Sequence, residues 1–354
     1  MTGLEMTKQE RLTDSYGRAI SYLRISVTDL CNLRCVYCMP QEGVEKHAHA
    51  RNLSLEEIVT IAQVCVSLGV DKIRLTGGEP LSRRGILFLC KQLKSIRGLK
   101  ELAMTTNASM LAKPSVLFTG GRMTEALPEP EPADGAEGAY TVARQLKEAG
   151  VDRLNISLDT LREDRFREIS RIGTLSEVLS GIRAAKDAGF TGLKYNAVLM
   201  GGVNDDEIPD FVELTKDEDC TVRFIELMPV GETVVWDGTR FMPAETVLER
   251  CPQLVPAGDD GVSKTYRMPG YRGKIGLIQT MSEPFCAACN RMRLTSDGML
   301  KPCLHRGLEV SLRGLQGEAL EAAIREAVLR KPAACGIADA HRSESRRAMY
   351  AIGG

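Results

Sequence analysis

Three cysteines in one short run, Cys31-Asn-Leu-Arg-Cys35-Val-Tyr-Cys38, are the residues of this chain best placed to do chemistry. Their spacing is C-x3-C-x2-C, and the next cysteine is Cys65. Three thiolates on one loop can hold three corners of an iron–sulfur cube and leave the fourth iron without a protein ligand. An open iron is a place for a small molecule to bind and react, as the open position of a catalytic zinc is. A structural zinc would need a fourth nitrogen or sulfur ligand, and neither Cys65 nor His47 and His49 stands at a familiar spacing. A zinc knuckle, or three chance cysteines, is the bland alternative.

A second set lies far downstream, in Cys286-Ala-Ala-Cys289 and then Cys303, fourteen residues further on. This is again three thiolates. His305 could complete a zinc site with them. Arg291 and Arg293 argue the other way, because cations beside an open metal site suit an anionic ligand. Both readings stay open on the residues alone. The other five of the eleven cysteines (Cys65, Cys90, Cys220, Cys251 and Cys335) are scattered, and most read as core residues.

The elements that must position these residues follow a strand-then-helix rhythm. Strands are expected at Tyr22–Asp29, Lys72–Gly78, Glu101–Asn107, Arg153–Asp159, Leu193–Met200 and Val222–Met228. Helices are expected from the capping box Ser54/Glu57 to Leu68, near 86–97, near 140–149, from the box Thr174/Glu177 to about 188, and near 205–217. The first cysteine loop follows the first strand. Six strands, each followed by a helix or loop, predict a partial (β/α)6 TIM-like barrel. Polar residues gather where these strands end, which in such a barrel is the active-site face. The rhythm covers 14–228, interrupted by a Pro- and Gly-rich, flexible insertion over 112–139. Region 229–354 breaks the rhythm: a short helix at 243–250, strands at 265–268 and 274–280, then the second cysteine set.

Composition narrows the partners. The chain has 354 residues, 43% of them hydrophobic, and a formal net charge of −1. Such a balance gives no reason to expect nucleic acid or membrane as a partner. No apolar run is long enough to span a bilayer. Residues 1–10 carry neither a secretory apolar core nor an Arg-rich transit pattern. Eleven cysteines point to metal ligands in a reducing compartment more than to disulfides. The expected location is therefore soluble and intracellular.

Several motifs then occur in a telling order: SVTDLCNLRCVYCMP, KIRLTGGEPLSRR, TTN, LNISLD, NDDEI, VRFIELMP, FCAACNRMRL, SDGMLKPCL and a final Ile352-Gly353-Gly354. The first resembles the radical SAM superfamily, whose hallmark is this cysteine spacing with an aromatic residue, here Tyr37, before the last cysteine. The whole set resembles the GTP 3′,8-cyclase family of molybdenum-cofactor biosynthesis, nearer to plant and animal forms than to most bacterial ones. The resemblance covers residue 14 to the end, apart from the insertion.

That resemblance implies two 4Fe–4S clusters, one on Cys31, Cys35 and Cys38 that binds S-adenosylmethionine, and one on Cys286, Cys289 and Cys303 that holds the guanine of GTP. Tyr37, Gly78, Ser157 and Met228 match positions lining S-adenosylmethionine. Arg24, Arg74, Thr105, Lys194, Arg291 and Arg293 match GTP contacts. Arg24, Arg223, Gly353 and Gly354 are the expected catalytic set, the glycines as a tail reaching into the site. A triphosphate needs several cations, and guanidinium groups can grip its oxygens bidentately. The implied reaction abstracts H3′ from GTP and bonds C3′ to C8, giving (8S)-3′,8-cyclo-7,8-dihydroguanosine 5′-triphosphate. A cyclic pyranopterin monophosphate synthase would take that product. The family is often dimeric, and its animal and plant members work in the mitochondrial matrix; a chain of other origin would be cytoplasmic. The electron donor is not legible. Ala108 departs from the family's glycine after Thr-Thr-Asn, which predicts a strained turn.

Two other classes fit parts of the pattern. A peptide-modifying radical SAM maturase would carry more C-terminal cysteines and lack Arg-x-Arg beside C-x2-C. A non-catalytic zinc or cluster protein would not cleave S-adenosylmethionine.

Overall fold

A computed structural model describes residues 11–44, 51–114, 140–235, 238–337 and 343–353. The apolar strand segments form β1 (Tyr22–Ser26), β2 (Lys72–Thr76), β3 (Glu101–Thr106), β4 (Arg153–Ser157), β5 (Lys194–Leu199) and β6 (Thr221–Glu226). They pair in chain order, all parallel, as the six-strand expectation requires. Helices α1 (Leu55–Ser67), α2 (Ile86–Lys94), α3 (Val142–Glu148), α4 (Glu163–Ser170), α5 (Leu175–Asp187) and α6 (Ile208–Glu213) fill the crossovers. Both capping boxes form reciprocally, Ser54 with Glu57 and Thr174 with Glu177. Among the described residues, α4 is the crossover helix not anticipated. It opens on Arg162 with no side-chain cap, so it lacks the start signal that marks its neighbours.

The C-terminal region does not sit beside this sheet; it lengthens it at both edges. β7 (Val255–Asp260) and β8 (Ser263–Arg267) form a hairpin on β9 (Lys274–Ile278), and β9 pairs parallel with β6. At the other edge β10 (Arg291–Leu294) pairs parallel with β1 and carries β11 (Met299–Lys301) and β12 (Val310–Ser311) outward. Strand β10 escaped expectation because Arg-Met-Arg-Leu looks like a charged loop. In the structure it alternates half-buried and buried, the period of a strand. Helix α7 (Thr246–Arg250), α8 (Gly317–Leu329) and α9 (Met349–Ile352) complete the region.

Register turns this sheet into a site. Arg24 pairs with Arg74 on one side and Arg293 on the other. Tyr22 pairs with Lys72 and Arg291, and Asn196 with Arg223. Because side chains alternate along a strand, Tyr22 with Arg24, Lys72 with Arg74, and Arg291 with Arg293 all point to one face. The other face carries Leu23, Ile25, Ile73, Leu75, Leu102, Met104, Leu154 and Ile156, packed under Ile61, Leu89, Leu146 and Ile182 of the helices, all buried. Each such side chain contributes about 1.5–3 kcal/mol of burial, which is what holds the charged face in place.

The turn after β3 is strained as anticipated: Ala108 has φ 64° and is fully buried. Helix α5 crosses it at Gly181, where a Cβ would collide with the Ala108 carbonyl oxygen. Gly181→Ala is therefore expected to cost about 1–3 kcal/mol by overpacking, read as a lower denaturation midpoint. Ala108→Gly should be near neutral. Relief of about 1–2 kcal/mol of left-handed strain is offset by about 0.8 kcal/mol of lost methyl burial and a freer unfolded chain. The insertion expected over 112–139 leaves and re-enters at one point, where Pro114 and Thr141 form an antiparallel bridge. Residues 115–139 lie outside the described residues.

Candidate active site

The inward face of the sheet encloses a cavity of about 520 Å³. It runs from Tyr22 and Lys72 near the strand starts to Gly78, Asp159 and Met228 just past the strand ends. Cys38 lines it, and so do Cys286, Cys289 and Cys303, so one cavity meets both cysteine sets. Tyr37, Gly78, Ser157 and Met228 line it, as do Arg24, Arg74, Thr105, Lys194, Arg223, Arg291 and Arg293. All were named from sequence, and the fold brings them together.

The first cysteine loop is docked by its backbone. Arg34 and Val36 donate to the carbonyls of Ser170 and Ile169 at the end of α4, at 3.0 and 2.9 Å. Cys38 and Met39 donate to the Cys35 carbonyl at 2.9 and 3.0 Å. Cys31 Sγ accepts from the Leu33 amide at 3.4 Å. Burial pushes the Cys31 thiol up to about 11 and Cys38 up to about 12, and raises Cys35 well above the ordinary thiol value. After burial, mutual repulsion among the three sulfurs and the charge of Asp159 hold Cys35 and Cys38 protonated. Three cysteines on one loop suit iron and bridging sulfide, which span a wider site than a single ion does: a bound cationic cluster would supply the charge that makes them thiolates.

Around that loop the buried carboxylates act as anchors. Glu79 accepts from Thr106 Oγ1 and the Asn107 amide at 2.8 Å and from the Leu81 amide at 3.1 Å; burial raises it to about 7 against those bonds. Asp159 accepts from the Tyr37 hydroxyl at 2.6 Å and the Val198 amide at 2.9 Å, with burial raising it to about 6. Gly78 must be glycine because a Cβ there would strike the Leu30 carbonyl.

The second set is held at a short turn, Cys286–Ala288, and at the end of β11, where Cys303 follows Pro302. His305 lines the same cavity, and its Nδ1 has no hydrogen-bond partner among the described residues. Burial, then Arg293 and Lys301, lower it to about 4, so its imidazole is neutral. Cys335, read as one of the scattered cysteines, lies against Cys286 instead of in the core: its amide donates to Cys286 Sγ at 3.3 Å. Cys65, Cys90, Cys220 and Cys251 are buried as expected.

Comparison with known proteins decides the family. Residues 25–215 match the model of the radical SAM superfamily, and 220–337 match Molybdenum Cofactor Synthesis C. The GTP 3′,8-cyclase of Alkaliphilus oremlandii (strain OhILAs) is 44% identical over 348 residues, 97% of this chain and 100% of that one. That of Peptoclostridium acidaminophilum is 44% identical over 99% of this chain and 100% of its own. The chain belongs to the GTP 3′,8-cyclase family of radical SAM proteins. These relatives are bacterial, in contrast to the plant and animal likeness expected from the motifs. Among solved structures, Streptococcus suis SuiB bound to S-adenosylmethionine superposes with a TM-score of 0.54 at 14% identity, over 91% of this chain and 67% of that one, a likeness of fold.

In this cyclase-family chain the cations are packed closely enough to disturb one another. Burial, then Arg293, lowers Arg24 well below its ordinary value; burial, then Arg291, lowers Arg293 to about 10; burial, then Arg74, lowers Arg223 to about 10. Arg223 Nε and Nη2 are buried without a hydrogen-bond partner among the described residues. Such a cluster is expensive to bury alone and calls for a polyanion. Lys194 is paired with Asp260 of the β7–β8 hairpin, which also lines the cavity.

Sequence reasoning missed Tyr22, Lys72 and Asp260. The first two stand two residues before Arg24 and Arg74, so extending the same strand face would have found them. Tyr22 accepts a hydrogen bond from Arg74 Nε and has Lys72 and Arg291 over its ring, at 5.2 and 5.6 Å. Burial alone would raise its phenol, but Arg74, Arg24, Arg291 and Lys72 outweigh it and bring it down to about 7. Between pH 7 and the unfolded value near 10 the folded protein then binds fewer protons than the unfolded chain. Stability is expected to rise with pH across that window, and to be lost as pH falls through 7. Phenolate absorbance should show one tyrosine titrating near neutrality, and the step should vanish in Tyr22→Phe.

The C-terminal tail packs against the cavity wall, with Met349 and Tyr350 among the lining residues. Arg293 Nη1 donates to the carbonyls of Ile352, at 3.3 Å, and of Gly353. Gly353 has φ 71°, and a Cβ there would strike Thr76 Oγ1. Gly354 lies outside the described residues.

Proposed function

We propose that Cys31, Cys35 and Cys38 hold the S-adenosylmethionine-binding 4Fe–4S cluster of a GTP 3′,8-cyclase, and that Cys286, Cys289 and Cys303 hold its second cluster. When bound, the first cluster and S-adenosylmethionine would supply a 5′-deoxyadenosyl radical to take H3′ from GTP; C3′ then bonds to C8, and one electron from an external reductant with one proton quenches the resulting base radical, at the first step of molybdenum-cofactor biosynthesis. The observation that carries this reading is the cation row Arg293–Arg24–Arg74, inward-facing between two cysteine sets on one cavity. A nucleoside triphosphate is the ligand that such a row accommodates.

The chain's own residues then divide the work. Arg24, Arg74, Lys194, Arg291 and Arg293 bind the phosphates and base of GTP with Thr105, and Arg223 lines the channel behind them. Lys194 exchanges Asp260 for phosphate. Tyr37, Gly78, Ser157 and Met228 seat S-adenosylmethionine, with Asp159 fixing the Tyr37 ring. Gly353 and Gly354 cover the substrate and exclude water, as a site handling a reactive radical requires. In this reading 14–228 is the barrel and 229–354 the region of the second cluster. The product passes to a cyclic pyranopterin monophosphate synthase, the active form is a homodimer, and the enzyme is soluble. It works in the cytoplasm of a bacterial cell, or in the mitochondrial matrix if the source is eukaryotic. No described helix is long and apolar enough to cross a membrane.

The test is anaerobic reconstitution followed by incubation with S-adenosylmethionine, GTP and a strong reductant. About eight irons per chain and GTP-dependent 5′-deoxyadenosine are expected. Zinc in place of iron, or S-adenosylmethionine cleavage indifferent to GTP, would contradict it.

A further inference from the structure

We propose that Cys335 is a fourth thiolate for the second cluster, occupying in the substrate-free enzyme the iron that substrate later takes. This rests on the assignment of Cys286, Cys289 and Cys303 made above. Cys335 lines the same cavity as those three and is half-buried. Its amide donates to Cys286 Sγ at 3.3 Å.

The placement is built, not incidental. Arg18, ion-paired with Asp14 at 2.5 Å, donates from Nη1 to the carbonyls of Cys286 and Ala333, at 2.8 and 3.0 Å, and from Nη2 to that of Pro332 at 2.6 Å. One guanidinium thus clamps the Cys286 turn to the segment that leads into Cys335. Lys331, itself buried, donates to the Arg291 carbonyl at 2.8 Å and to that of Pro302, the residue before Cys303. The Cys335 segment is therefore tied to both loops that carry the other three cysteines.

A cluster held by three thiolates has one iron open, and a fourth sulfur beside it competes for that iron. On ligation the thiol proton goes to solvent and an Fe–S bond forms; when substrate arrives that bond breaks and the sulfur takes a proton back. No electrons are exchanged. Substrate binding at this iron becomes a ligand exchange, and the resting cluster is closed to oxidants.

The experiment compares anaerobically reconstituted wild type and Cys335→Ala, both holding S-adenosylmethionine to cover the first cluster. Mild ferricyanide oxidation strips an unligated iron and leaves a 3Fe–4S centre visible by EPR. Little of that signal is expected in wild type, and about one centre per chain in Cys335→Ala, suppressed again by GTP. The variant should also bind GTP about tenfold more tightly by equilibrium dialysis, because a competitor has been removed. Equal signals in the two proteins would overturn the proposal. In wild type alone, brief native alkylation read by peptide mass spectrometry should label Cys335 with GTP and spare it without; labelling in both states would overturn it independently of the variant. Only about four irons per chain in wild type would overturn the cluster assignment itself, a failure that the iron count separates from the others.

Discussion

Arg293→Met should lower kcat/KM for GTP by about 10²- to 10³-fold and at the same time raise the stability of the ligand-free protein. The two effects have one cause. Arg293 sits beside Arg24 and Arg74 in a row across three paired strands, and its guanidinium also holds the Ile352 and Gly353 carbonyls. Losing a buried, charge-assisted contact to a polyanion costs about 2–5 kcal/mol, and each 1.4 kcal/mol is tenfold. Without that anion the same charge is a liability. Burial and then Arg291 bring Arg293 down to about 10. A cation with a depressed folded value destabilises at every pH below that value, and the penalty is relieved only as pH rises from about 10 toward its ordinary range. Replacing it by an apolar side chain of similar length is expected to stabilise by about 1–2 kcal/mol at neutral pH. Thermal unfolding with and without GTP checks both halves. A variant less stable than wild type without ligand would mean that tail docking outweighs repulsion.

Glu226→Ala should destabilise the fold by about 3–6 kcal/mol. This carboxylate is fully buried at the end of β6. One oxygen accepts from the Ala244 amide at 3.0 Å and from the Ser282 hydroxyl; the other accepts from the Met281 and Ser282 amides at 2.7 and 2.9 Å. It therefore ties the barrel's last strand to the segment before α7 and to the exit of β9. Alanine would orphan the buried Ala244 N–H and the part-buried N–H groups of Met281 and Ser282, at up to about 1–3 kcal/mol each. Glu226→Gln, which keeps one carbonyl oxygen, should recover part of the loss. Denaturant midpoints measure this directly; a loss below about 1 kcal/mol in the alanine variant would show that water replaces the carboxylate.

Much of this molecule was legible from its chain because much of it is local. The C-x3-C-x2-C loop announces its candidate ligand chemistry, since its three cysteines are carried by one short loop. The two capping boxes and the apolar strand runs announce the βα units, because hydrogen bonds between residues three apart and burial on both strand faces are written in adjacent residues. The inward cations were named by the family resemblance; Arg24, Arg74, Lys194 and Arg223 fall in expected strands, whereas Arg291 and Arg293 do not. Helix α4 stayed hidden because Arg162 offers no cap, and β10 because two arginines mask its alternation.

What only the tertiary structure decided is which distant segments are neighbours. Pairing of β10 with β1 and β9 with β6 sets Arg293 beside Arg24 and brings Cys286 to the cavity that Cys38 lines. Tyr22 is an ordinary strand residue until Lys72, Arg74 and Arg291 surround it, and Cys335 an ordinary loop cysteine until Arg18 and Lys331 tie its segment to the second cysteine set. Spacing within a loop fixes which atoms can share a metal. Register between strands far apart in sequence depends on how a whole hydrophobic face closes, and no local pattern encodes it.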